Sequence, residues 1–132
     1  LCIIATGVMA HRALEVASAL NKYSIDAGVV DLFRIKPVNE KLLLGIVNSY
    51  EAILTLEEHL IAGGLGSLVS EILSDNGMSL PLRRLGIPDK YYFDYGGRDY
   101  LHELCQIDAK SVVDNILKWS STKALFVKSQ RV

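Results

Sequence analysis

Glu57, Glu58 and His59 stand in succession at the end of the apolar run Ala52–Leu56, and Gly63, Gly64, Gly66 and Ser67 follow at once. Paired carboxylates beside an imidazole are residue types suited to proton transfer or to holding a metal. Consecutive residues on an extended segment point to opposite sides, however, so Glu57 and Glu58 do not converge unless the chain bends. A metal would need a third or fourth protein ligand, and none stands at a recognisable spacing. The trio is therefore expected to order a loop or to meet a neighbouring domain. The glycines lie where a strand feeds a helix, and a helix N-terminus offers unpaired amides and partial positive charge to an anion or phosphate. The spacing is not that of the dinucleotide fingerprint, and no P-loop lysine follows. Glycines at such a junction also allow tight helix packing and positive φ angles, which is the favoured reading. Glu57, Glu58, His59, Gly63, Gly64, Gly66 and Ser67 thus form a candidate anion or domain-contact site, with no residue assigned to catalysis, cofactor binding or metal binding.

Other chemistry-bearing residues are scattered. His11 and His102 fall on the polar faces of expected helices and read as surface residues. Ser, His and Asp are all present, but no G-x-S-x-G nucleophile elbow exists. The run Asp89-Lys-Tyr-Tyr-Phe-Asp-Tyr95 gathers four aromatic rings before Gly96-Gly97, more than a loop can bury within itself, and aromatic residues are enriched at interfaces. It is read as a domain or subunit contact. Cys2 and Cys105 are too few for a disulfide framework. They fit a reducing, cytoplasmic setting, with Cys2 buried in a strand.

The elements that must position these residues are legible from periodicity. Apolar runs at Leu1–Ala5, Ala27–Asp31, Ala52–Leu56 and Leu80–Leu85 read as strands. Helical stripes separate them: Ala10, Ala13, Leu14, Ala17 and Leu20; a helix over Glu40–Ser49 capped by Asn39; and Leu65, Leu68, Val69, Ile72 and Leu73, stopped by Asn76-Gly77. Gly86-Ile-Pro-Asp89 is expected to turn the chain away, before helices near Arg98–Leu104 and Ala109–Trp119, the latter capped by Asp108. This alternation predicts an α/β fold with a parallel sheet covered on both faces. With 132 residues the chain is one domain's worth, expected over 1–119. Residues 120–132 are expected to be a tail, with a short strand at Ala124–Val127 as the alternative. Half of the residues are apolar, 22% are charged and the net charge is −1. That balance makes no electrostatic case for nucleic acid or an anionic membrane, and no apolar run reaches the length of a membrane helix. Leu1 already lies in a strand-like run, which suggests a piece of a longer protein.

Four stretches in order carry a resemblance: Ala5-Thr6-Gly7; Val30-Asp31-Leu32-Phe33-Arg34-Ile35-Lys36-Pro37; Leu56-Glu57-Glu58-His59 with Gly63-Gly64-Leu65-Gly66-Ser67; and Gly86-Ile-Pro-Asp89. Together, over Leu1–Trp119, they resemble the C-terminal domain of the transketolase family: thiamine-diphosphate enzymes that include transketolase, deoxyxylulose-phosphate synthase and the β subunits of 2-oxoacid dehydrogenases. The resemblance implies a three-layer α/β/α domain whose four parallel strands run in spatial order 2-1-3-4. It also implies an antiparallel edge strand contributed from before Leu1. Family members bind the diphosphate and the pyrimidine ring in two other domains, and the G-D-G…N diphosphate motif is absent from this chain. The implied role is structural: this domain packs on the pyrimidine-binding domain of the same enzyme and supports a homodimer, with thiamine diphosphate and magnesium held elsewhere in the parent. The Glu-Glu-His form with Gly-Gly-Leu-Gly-Ser is most similar to a two-part type of transketolase and to deoxyxylulose-phosphate synthase. Transketolase, which moves a two-carbon ketol unit between sugar phosphates, is favoured of the two. The 2-oxoacid dehydrogenase subunits resemble the chain less after Gly66. A rival reading from another class is a standalone module that binds a phosphate-bearing regulator at Gly63–Ser67.

Overall fold

A computed structural model describes residues 1–123 and 125–126. Strand β1 (Cys2–Ala5) leads to helix α1 (Met9–Leu20), strand β2 (Gly28–Asp31), helix α2 (Glu40–Val47) and strand β3 (Ile53–Leu60). Helix α3 (Leu65–Asp75), strand β4 (Leu82–Ile87) and helices α4 (Arg98–Leu104) and α5 (Ala109–Lys123) complete the order. The sheet has four strands in the order β2-β1-β3-β4, all pairings parallel, as expected.

The period of two along each strand divides the core. Ile3, Ala5, Leu54 and Leu56 pack with α1 and α5 on one face, while Cys2, Ile4 and Ile53 pack with α2 and α3 on the other. β1 is buried throughout, and the outer strands β2 and β4 are only partly so. Burial pushes the Cys2 thiol up to about 11, keeping it protonated and unreactive. In α1 the buried line is Met9, Ala13, Val16 and Leu20. Leu14, expected on that face, is 58% exposed, because the buried face of α1 is centred on Met9, Ala13, Val16 and Leu20.

Local signals stop and start the helices. The Asn39 side chain accepts the Leu42 amide at 3.1 Å, and the Asp108 carboxylate accepts the Ser111 amide at 3.1 Å, both N-cap bonds. After α3, Gly77 takes φ +64° and the Met78 amide returns to the Leu73 carbonyl, a left-handed stop.

Three boundaries differ from expectation. β3 does not end at Leu56 but runs through Glu57, Glu58 and His59 to Leu60. β4 starts at Leu82, after Pro81, and takes in Gly86 and Ile87, which were expected to turn. The two changes belong together: the pairing of Leu56 with Leu85 continues, across an irregularity, to Leu60 with Ile87. α5 continues past Trp119 through Lys123, and the Leu125 amide donates to the Ser120 carbonyl in a following turn. Of the alternative strand at Ala124–Val127, Leu125 and Phe126 form this turn; Ala124, Val127 and the rest of the tail lie outside the described residues.

Candidate functional site

The tips of β1 and β3 are where ligands bind in an open α/β sheet, because the chain leaves these neighbouring strands in opposite directions. The polar end of β3 lies there, and alternation sends its two glutamates apart. Glu57 continues the Ile53 and Thr55 face toward α3; Glu58 continues the Leu54 and Leu56 face toward α4.

Glu57 is fully buried. Its two oxygens accept the amides of Leu65, at 2.6 Å, and Gly66, at 2.9 Å, in the first turn of α3. His59 is largely exposed, with its Nδ1 3.6 Å from the Glu57 carboxylate. Ser67 closes the intervening loop: its hydroxyl accepts from the Gly63 amide and the Arg84 guanidinium and donates to the Ile61 carbonyl, at 3.0–3.1 Å. Gly63 needs its freedom, since its φ is +76°. Beside this loop an open depression of about 530 Å³ is lined by Lys36, His59, Gly63, Ser67 and Glu71.

On the opposite face Glu58 meets two side chains from α4, the Arg98 guanidinium and the His102 imidazole. His102 Nε2 lies 3.2 Å and Arg98 Nε 3.3 Å from the same carboxylate oxygen. His102 is buried, at 5% exposure, which corrects its reading as a surface residue. It is the only buried residue of α4. Its ring replaces an apolar anchor on that helix, leaving Nδ1 buried without a partner. No local signal foretells this clasp, because its partners are 44 residues apart. His11 is exposed, as read. Arg12, the next residue of α1, links Glu15 and Asp99 at 3.0 and 3.1 Å.

The segment between β4 and α4 presents its rings outward. Tyr91, Phe93 and Tyr95 are 88%, 92% and 104% exposed. Tyr92 alone turns inward, under the Lys90 ammonium. Its hydroxyl is pushed up by the neighbouring Cys105 thiol and by burial. Among the described residues no three His, Cys, Asp or Glu side chains converge to hold a metal ion, and no helix is long and apolar enough to cross a membrane.

The buried carboxylate of this arrangement is spent on helix amides. Residues 1–112 match the family model described as "Transketolase, C-terminal domain". The chain belongs to this family. It is 35% identical over 118 residues to the 1-deoxy-D-xylulose-5-phosphate synthase of Caldanaerobacter subterraneus subsp. tengcongensis, covering 89% of this chain and 19% of that protein. To the synthase of the same name from Saccharophagus degradans it is 39% identical over 120 residues, covering 91% of this chain and 18% of that protein. The fold is similar to that of a split-gene transketolase solved as an inactive β4 tetramer, with a TM-score of 0.76 and 35% identity over 89% of this chain and 37% of the other. The chain thus spans less than a fifth of the curated relatives it matches.

Proposed function

We propose that this transketolase C-terminal domain is the supporting domain of a larger thiamine-diphosphate enzyme that transfers a two-carbon ketol unit between sugar phosphates. The observation that carries the reading is the family match combined with a site whose polar residues hold the fold together instead of converging. Glu57 binds α3, Glu58 binds α4, and Ser67 closes a loop, so none is free for the reaction. The cofactor and its divalent metal would be held by other domains of the parent, in a cytoplasmic enzyme. The exposed aromatic run Tyr91–Tyr95, beside the Glu58 clasp, would dock on the pyrimidine-binding domain and help to support a dimer. An antiparallel strand from before Leu1 would cover a free edge of the sheet. A second reading keeps the architecture and changes the reaction to formation of 1-deoxy-D-xylulose 5-phosphate; the names of the relatives at 35% and 39% identity favour it.

The test is calorimetric titration of the chain with thiamine diphosphate and magnesium, beside activity assays of the parent polypeptide for both products. The expected result is no binding or turnover by the chain alone. Tight cofactor binding by these 132 residues would refute the supporting role, and the product formed by the parent decides between the reactions.

A further inference from the structure

The first turn of an α-helix exposes amides that need acceptors. In α3 each has one from the chain itself: Leu65 and Gly66 donate to the Glu57 carboxylate, and Ser67 and Leu68 donate to the Gly64 carbonyl. The space around the carboxylate is shaped to it by glycines from two elements. A side chain at Gly64 would run into Glu57 Oε2 and the Leu60 carbonyl, and one at Gly86 would place its Cβ 2.9 Å from Glu57 Cγ. Among the described residues no lysine or arginine pairs with Glu57; its one ion-pair neighbour is the largely exposed His59. Compensation for a buried negative group therefore comes from the helix N-terminus, as it does for bound phosphates and carboxylates elsewhere.

We propose that Glu57 is a built-in anion: its side chain fills a carboxylate site at the α3 N-terminus, which is closed to external anions and opens to small carboxylates such as acetate or formate when that side chain is removed. Glu57 then acts as a positioning residue. By tying β3 to α3 across the Gly63–Gly64 loop, it sets where Glu58 and His59 project. The adjoining depression is left with Lys36 and His59 but without the Leu65 and Gly66 amides, so it makes a poor phosphate cradle.

Glu57→Ala and the unaltered chain are to be titrated with sodium acetate, sodium formate and inorganic phosphate, against sodium chloride at equal ionic strength. Thermal unfolding and amide NMR supply the readouts. In the unaltered chain the Leu65 and Gly66 amides stay unmoved by all three anions; a saturable shift there with phosphate would overturn the proposal. In Glu57→Ala, acetate or formate moves those amides saturably. It also raises Tm by about 4 °C when present at roughly ten times its dissociation constant. A folded Glu57→Ala that responds to neither carboxylate overturns the proposal. Should that variant not fold, Glu57→Gln keeps the shape but leaves one neutral oxygen for the two amides and sets an NH2 donor against the other. Hydrogen exchange at Leu65 and Gly66 is then expected to quicken about tenfold, and unchanged exchange counts against the proposal.

Discussion

At Glu57 and Glu58 the alternation of β3 gives adjacent, chemically identical side chains different surroundings. Glu57 is buried and accepts two helix amides, with His59 Nδ1 3.6 Å away, whereas Glu58 is 28% exposed and meets Arg98 and His102. The Glu58 bond anchors α4, because His102 is the one residue that helix buries. Glu58→Ala should cost about 1–3 kcal/mol, since it leaves the His102 ring buried with no acceptor on either nitrogen. His102→Leu should lie within about 1 kcal/mol of the unaltered chain, because an apolar side chain also removes the unpartnered Nδ1. Denaturant unfolding of both single variants and the double variant checks this. Equal losses from Glu58→Ala in the presence and absence of His102 would show that the clasp carries no coupling.

At the scale of elements, the caps are the features that local sequence announces most reliably, and Asp108 at the start of α5 exposes them to a pH test. Burial raises its carboxyl, but hydrogen bonds from the Ser111 side chain and from backbone amides outweigh that and hold it below the ordinary value of 3.8. A folded pKa below the unfolded one adds stability above the unfolded value, and that stability is lost as pH falls through the folded value. Asp108→Ala should therefore cost about 1 kcal/mol at neutral pH, and its Tm should converge on that of the unaltered chain as pH falls below 3.8. A gap in Tm that persists at pH 2 to 3 would assign the loss to something other than the charged cap. The length of β3 was the harder matter. Glu57-Glu58-His59 reads locally as the end of a strand, and it remains extended because β4 pairs out to Leu60 and α3 supplies Glu57 with donors.

The whole molecule carries an uneven surface. Its packed sheet is covered by α1 and α5 on one side and α2 and α3 on the other, while Tyr91, Phe93 and Tyr95 stand almost fully in water. Rings exposed to that degree contribute little to the stability of the isolated domain. Replacing all three with serine should leave its unfolding free energy within about 0.5 kcal/mol. In the parent polypeptide the same replacements should loosen this domain, read as faster proteolytic cleavage of the connection to its neighbour. Unchanged cleavage of the parent would remove the aromatic run from the domain contact.

What the sequence by itself determined was everything that depends on near neighbours: the alternation of strands and helices, the caps at Asn39 and Asp108, the stop at Asn76-Gly77, and the buried state of Cys2. The family resemblance added the strand order, which periodicity alone does not carry. Only the tertiary structure decided what the polar residues do. Glu57 looks like a surface carboxylate until α3 turns its first amides toward it, and His102 looks like a surface histidine until β3 extends far enough to place Glu58 beside it. Both outcomes rest on partners brought together by the sheet across 8 and 44 residues of chain. A residue's type records its capacity to donate or accept a hydrogen bond, and the fold decides whether water or protein supplies the other half.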